Sequence, residues 1–252
     1  MKDSIITLTT DFGLSDPFVG IMKGVMLSIA PEARLIDISQ DIPSFDVAEA
    51  ALIIDSAFRY FPAGTVHVVV VDPGVGSARR PIAAMAHGHV FVAPDNGILS
   101  YVLQAELVEV YHITSMGMCL QPVSRTFHGR DIFAPVAAHI ARGAPVDSVG
   151  PRIIDYLVRG PGTRPAILRV DKFGNLITNL RRRDLAGEFA IRIAGLEVRR
   201  LLSNYDEAQP GEVFAIEGST GFIELSVKLG SASKTLNAGR GAEIEVETGT
   251  IN

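Results

Sequence analysis

Apolar and polar positions change their spacing repeatedly along this chain, and the changes mark out short elements. Val66 to Val71 is an almost unbroken β-branched run, the pattern of a strand buried on both faces. It stops at Asp72, where Pro73 and Gly74 cannot continue a ladder. Ser4 to Thr10 predicts an earlier strand that enters the turn-rich stretch Asp11 to Pro17. Pro17 suits the first turn of a helix, with Asp16 as its N-cap. Val19, Met22, Met26 and Ile29 then recur at helical spacing. Ala33 to Ile38 predicts a strand, and Asp46 caps a helix running through Phe58. Ile82 to Ala86 and His89 to Ala93 read as strands joined by a turn at His87-Gly88. After Pro94-Asp95-Asn96-Gly97 come a short helix over Ile98 to Leu103 and a strand over 107–114. A helix from Phe127 to Arg142 follows.

Strands and helices alternate through this half, which predicts an α/β sheet domain over residues 1–150. Asp11, Asp72 and Asp95 each fall just after a strand, so the sheet gathers them along one rim. In open α/β sheets that rim is where ligands bind. From Gly150 to Pro165 glycines and prolines accumulate, predicting a linker over 151–165. Beyond it, short alternating segments occupy Ala166–Val170, Leu176–Leu180, Phe189–Ile193, Leu196–Leu202, Glu212–Ile216, Phe222–Val227 and Glu243–Glu247. Close turn signals between them predict a small β-barrel or sandwich domain over 166–252.

Composition narrows the class of protein. Apolar residues make up 47% of the 252, enough for a substantial core. The net charge of −5, with Arg181-Arg182-Arg183 as the one basic run, argues against a nucleic-acid partner. Cys119 is the only cysteine, which excludes disulfides within the chain and a cysteine-based zinc site. The N-terminus has no basic-then-apolar leader, and no apolar run reaches the length of a membrane span. A cytoplasmic protein with no membrane partner is expected.

Most candidate motifs have a plain structural reading that outweighs the functional one. Gly74-Val75-Gly76 lacks the third glycine of a dinucleotide fingerprint and precedes a strand. Gly230 to Thr235 lacks the first half of a phosphate-binding loop and reads as a surface loop. His87 and His89 share a strand face at i, i+2, yet Gly88 between them favours a solvated turn over a metal site. His67, inside the buried strand, reads as a hydrogen-bonded core histidine. His128 sits between Phe127 and Gly129, beside Arg130 and Asp131, where capping a helix and catalysis are equally supported. Arg79 and Arg80 follow Asp72 closely enough for one of them to pair with it. Residue types alone therefore reach a polar α/β site containing Asp, Arg and His.

Five segments in matching order go further. They are Thr9 to Asp16, Val71 to Arg80, Ala93 to Gly97, Thr126 to Asp131 and Asp171 to Asn175. Together they resemble the S-adenosyl-L-methionine (SAM) hydroxide adenosyltransferases, adenosine-forming SAM hydrolases related to the fluorinase and chlorinase. The resemblance spans about Ile5 to Leu236. It implies an α/β N-terminal domain, a β-barrel C-terminal domain, and a homotrimer whose active sites lie between subunits. SAM is then a substrate, and no cofactor or metal is implied.

The family's catalytic Asp, Arg and His fall on Asp72, Arg79 and His128. Halogenating relatives carry replacements at the Asp or His positions, so the full trio implies water as nucleophile. Asp11 matches the carboxylate on the ribose hydroxyls, and Phe45 stands where the fluorinase has Trp. Asp16 and Asp171 match groups around the methionine ammonium. Asn175 matches the adenine-bonding residue, with Phe173 packed on the ligand and Leu229 offering backbone groups to adenine. Ser219 matches a contact to the methionine carboxylate, beside Thr220, which departs from the Arg of the fluorinase. The implied activity is hydrolysis of SAM to adenosine and methionine by water attacking ribose C5′. A SAM-dependent halogenase and a non-catalytic SAM or adenosine sensor are the rivals from this scaffold. A metal-dependent phosphoesterase on the rim carboxylates is a third, weakened by the lack of a paired His/Asp metal motif.

Overall fold

In a computed structural model, residues 4–160, 164–185 and 187–249 are described here, and the chain divides into two units after Arg159. The first unit contains strands β1 (Ile5–Thr10), β2 (Arg34–Ser39), β3 (Val66–Val70), β4 (Pro81–Ala86), β5 (His89–Pro94), β6 (Val108–His112) and β7 (Arg152–Ile153). They form one sheet in the order β2-β1-β3-β5-β4-β6-β7. β2, β1, β3 and β5 run parallel, and the β4–β6 side is antiparallel. Helices α1 (Phe18–Ile29), α2 (Val47–Ala57) and α3 (Ala134–Ala141) cover it.

The β-branched run forms the centre as its pattern requires. Val66, Val68 and Val70 pack with Val19, Met22 and Val136 on one face, while Val69 and Val71 pack with Ala50 and Ile54 on the other. Successive strand side chains point to opposite faces, so this run is apolar on both. From β1 the chain crosses by α1 to β2 on one side. It then crosses by α2, on the opposite face, to β3 on the other side. The carboxyl ends of β1 and β3 thus flank a topological switch point, where the sheet opens a crevice.

Several local expectations are corrected. Pro17, not Asp16, occupies the N-cap position of α1, and no side chain caps it. Asp46 does cap α2, accepting a hydrogen bond from the Glu49 amide at 2.9 Å. The stretch expected as a helix at Ile98–Leu103 yields only a 3₁₀ turn at Val102–Gln104. The helix expected from Phe127 begins with a π turn, Gly129–Phe133, before α3.

The expected linker also changes. Residues 152–153 extend the first sheet as β7, and the amides of Leu157 and Arg159 bond Asp95 Oδ1 (2.8 Å) and Ser100 Oγ (2.7 Å). Hydrogen bonding therefore keeps this Gly- and Pro-flanked stretch in the first unit up to Arg159.

The second unit contains β8 (Ile167–Val170), β9 (Leu176–Arg181), β10 (Phe189–Ile193), β11 (Leu196–Val198), β12 (Leu201–Leu202), β13 (Val213–Glu217), β14 (Phe222–Val227), α4 (Ala232–Leu236) and β15 (Glu245–Thr248). Among the described residues these give a five-stranded sheet, β12-β13-β14-β9-β8, and a three-stranded sheet, β11-β10-β15. They do not close into one barrel. The apparent strand Leu196–Leu202 breaks at Arg199-Arg200, and its halves join different sheets. The region expected as a surface loop holds α4, capped by Ser231.

Candidate active site

A cavity of about 370 Å³ opens at the switch point, and Asp11, Asp16, Phe45, Asp72 and His128 all line it. Asp11 leaves β1 and accepts the Phe45 amide at Oδ2 (2.9 Å), holding Phe45 in a left-handed conformation at φ 68°. Such a backbone is unfavourable for a bulky residue, so the bond to Asp11 maintains it. Asp16 is exposed at the mouth. Asp72 follows directly on Val71 at the end of β3.

Arg79 lies behind the cavity wall and joins the other two. Its Nε donates to Asp72 Oδ1 at 3.0 Å, and its Nη2 donates to both Asp72 Oδ2 and His128 Nδ1, the latter at 2.9 Å. The Asp72 and Arg79 side chains are only 6% and 7% exposed, so water screens this pair weakly. A guanidinium has no acceptor, so Nδ1 of His128 must accept and its proton must lie on Nε2. Burial, then the Arg79 charge, holds the His128 pKa below its ordinary value, against the pull of Asp72, Asp131 and the Ser124 backbone. His128 makes no side-chain cap on the turn it precedes, so the helix-capping reading does not hold. Arg80 turns away from Asp72 to Asp95 and Asp155.

The third rim carboxylate is not in the cavity. Asp95 Oδ2 accepts from Arg80 Nε and Nη2 at 3.1 and 2.7 Å. Three aromatic residues, by contrast, form a wall that the residue types did not single out. Phe12, Phe18 and Phe127 meet edge to face with ring centroids 5.3 to 6.0 Å apart. Phe12 and Phe127 lie inside the conspicuous motifs, which was the available signal; Phe18 had none beyond its place at the helix start. Gly129 fits tightly beneath them: a Cβ there would stand 3.0 to 3.3 Å from the Met22, Phe127 and Phe12 side chains, which would have to give by a few tenths of an ångström.

In the second unit a cavity of about 430 Å³ is lined by Phe173, Asn175, Tyr205, Val227, Leu229 and Gly230. Asp171 lies outside its lining and organises the loop. Its Oδ1 accepts the Phe173 and Asn175 amides, and its Oδ2 accepts Asn175 Nδ2 at 2.9 Å. Phe173 and Leu229 are 77% and 97% exposed. Ser219 lies exposed in the turn between β13 and β14, outside both cavities, where Arg181 Nη1 bonds the Thr220 carbonyl at 2.8 Å. Tyr205 carried no sequence signal.

Other histidines take structural places. His67 is buried between Thr7 and His89, and His87 stands in the hairpin turn. Among the described residues, no group of three or more His, Cys, Asp or Glu is placed to hold a metal ion. No described helix is long and apolar enough to cross a membrane.

Comparison with known proteins establishes the family. Residues 6–150 match the SAM hydroxide adenosyltransferase N-terminal domain, and residues 165–245 match the C-terminal domain. The chain belongs to the SAM hydroxide adenosyltransferase family. Among relatives, the (R)-S-adenosyl-L-methionine hydrolase of Thermus thermophilus is 36% identical, covering 94% of this chain and 97% of that protein. A fluorinase of Nocardia brasiliensis is 28% identical, with 97% of each chain covered. A solved Thermotoga maritima structure, described as an uncharacterized conserved protein, superposes with TM-score 0.88 at 34% identity. It covers 96% of this chain and 99% of its own. The SAM hydroxide adenosyltransferase domains thus meet within the Gly- and Pro-rich stretch, and the Asp72–Arg79–His128 network lies wholly in the N-terminal one.

Proposed function

We propose that this protein hydrolyses S-adenosyl-L-methionine to adenosine and L-methionine by in-line attack of water at ribose C5′. The observation that carries the reading is the single guanidinium that bridges Asp72 and His128 at the cavity wall. The water oxygen bonds to C5′ while the C5′–S bond breaks, and its electron pair neutralises the sulfonium as a thioether. The leaving group therefore needs no acid. The difficulty lies in the nucleophile, whose oxygen gains positive charge until a proton departs.

Asp72 takes that proton. Each carboxylate oxygen retains a lone pair beyond its bond to Arg79, whereas the basic nitrogen of His128 is already occupied by Arg79. His128 instead offers its Nε2 proton as a donor that orients the water, and Arg79 holds both partners rigid. Asp11 is suited to the ribose hydroxyls, Phe45 to the sugar face and Asp16 to the methionine ammonium. Asn175, Phe173 and the Leu229 backbone suit adenine. We assign Asp171 to the ammonium side and Ser219 to the carboxylate. This chemistry calls on no metal or cofactor.

Apart from Arg79, Asp171 and Ser219, those residues line two cavities, one in each unit, and each cavity exposes an apolar side chain: Phe45 at 71%, Phe173 at 77%. A homotrimer fits them, the N-terminal unit of one copy facing the second unit of its neighbour. We place the protein in the cytoplasm, in keeping with its one cysteine.

Incubating the pure protein with SAM in ¹⁸O-labelled water, with and without chloride, tests the reaction. Adenosine carrying the label at the 5′-hydroxyl is expected by mass spectrometry. Unlabelled adenosine, 5′-chloro-5′-deoxyadenosine, or intact SAM after hours would each overturn it. Light scattering that gave any mass other than three chains would overturn the trimer.

A further inference from the structure

The segment from Asp72 to Arg80 carries two of the three network residues yet contains no regular secondary structure. Its two ends are held by neighbouring residues of one other loop. Asn96 Nδ2 donates to the carbonyl of Val71, just before Asp72, at 2.8 Å. The Asn96 amide is itself oriented, because its Oδ1 accepts the Ile98 amide at 3.1 Å. Asp95 holds the other end twice. Its amide donates to the Arg80 carbonyl at 2.9 Å, and its carboxylate takes the fork of the Arg80 side chain. The Asp95 side chain is 5% exposed, and its second oxygen accepts the Leu157 amide. At the tip, Gly76 with φ +77° presses against the Arg125 carbonyl, 2.2 Å from where a Cβ would stand. The tip thus rests on the segment that leads into His128.

Neither Asp95, Asn96 nor Arg80 lines the cavity. We propose that Asp95 and Asn96 are positioning residues, forming a clamp that holds Asp72 and Arg79 in register with each other and with His128. The inference rests on the SAM-hydrolase reading. A forked contact between Arg79, a carboxylate and an imidazole tolerates little displacement, and a misplacement of about 1 Å can lower a rate about 100-fold. Tying Val71 and Arg80 to adjacent residues of one loop keeps the span between Asp72 and Arg79 constant. The same bonds explain why a carboxylate placed on the ligand-binding rim faces away from the ligand.

Asn96→Asp is the incisive variant, since it keeps the acceptor for the Ile98 amide and removes the donor to Val71. Its kcat should fall roughly 10- to 100-fold while calorimetric affinity for SAM stays within about twofold. The His128 imidazole, faced by Arg79, Asp72 and Asp131, should titrate nearer its ordinary value by NMR as the guanidinium loosens. Asp155→Ala, which removes only the outer partner of Arg80, should retain both wild-type readings. Should Asn96→Asp not fold, Asp95→Asn takes its place with the same readouts. Unchanged kcat and His128 titration, or a loss of kcat matched by lost SAM-binding stoichiometry, would overturn the clamp. If the wild-type protein forms no adenosine, the functional reading fails by itself, and the His128 titration alone decides the clamp.

Discussion

His67 and His128 are both held neutral, and they differ in what surrounds that neutrality. His67 lies within β3, fully buried, its Nδ1 2.7 Å from Thr7 Oγ1 and its Nε2 3.3 Å from His89. Its ring stacks on Phe91 with centroids 4.9 Å apart. Burial and the neighbouring His89 push its pKa down to about 3. His128 is half-buried at a cavity wall, and its ring is fixed by an arginine that also grips a carboxylate. A lowered pKa therefore does not by itself mark a working histidine. In the proposed reading, a charged partner and access to open volume are what single out His128.

The largest test of that contrast is removal of the network. Asp72→Ala and His128→Ala should each lower turnover about 10²- to 10⁴-fold while SAM still binds. Adenosine formation and calorimetry read the two quantities, and wild-type rates in both variants would contradict the contrast. Arg79→Lys keeps the charge but cannot fork between Asp72 and His128. A loss of about 10- to 100-fold in kcat is expected, and full activity would mean that charge alone suffices.

The acid limb of the rate profile comes next. Protonating His128 requires Nδ1, so the bond from Arg79 must break and activity should fall as pH drops. The midpoint should lie below 6.5, because burial first and Arg79 second disfavour the imidazolium. A midpoint above 6.5 would place a different group in control. His67 should leave that profile untouched and act on stability. Its native pKa of about 3 lies below its ordinary 6.5, so the unfolded chain binds more protons. Stability should decline as pH falls from about 6.5 toward 3. His67→Phe should flatten that dependence in urea titrations, keep kcat, and cost about 1–3 kcal/mol through the unpaired Thr7 and His89.

Much of the first unit was legible because its signals are local. The β-branched run of β3, the helical spacing of Val19, Met22 and Met26, and the Asp46 cap each report on a few neighbouring residues. Signals that depend on distant partners were not legible. Asp16 precedes a proline as a cap would, yet Pro17 takes the cap position. Asp95 stands on the rim with Asp11 and Asp72, but Arg80 and the Leu157 amide claim its carboxylate. The stretch after Gly150 looks like a linker until the sheet edge captures Arg152 and Ile153. The two short halves of Leu196–Leu202 carry too few residues to reveal that they enter different sheets.

The sequence by itself determined where strands end and which residue types meet at those ends, because burial on both faces and chain-breaking turns are written in consecutive positions. Its motif order also carried the family, and with it the expectation of the trio Asp72, Arg79 and His128. Tertiary structure alone decided how the trio is wired. The Arg79 guanidinium joins Asp72 to His128 while Arg80 forks onto Asp95, and His128 turns to Arg79 instead of capping its helix. Asp95 and Asn96 hold the loop from outside. Hydrogen bonds between residues 7 to 49 positions apart carry these contacts, and spacing alone does not encode which of two adjacent arginines will find its carboxylate.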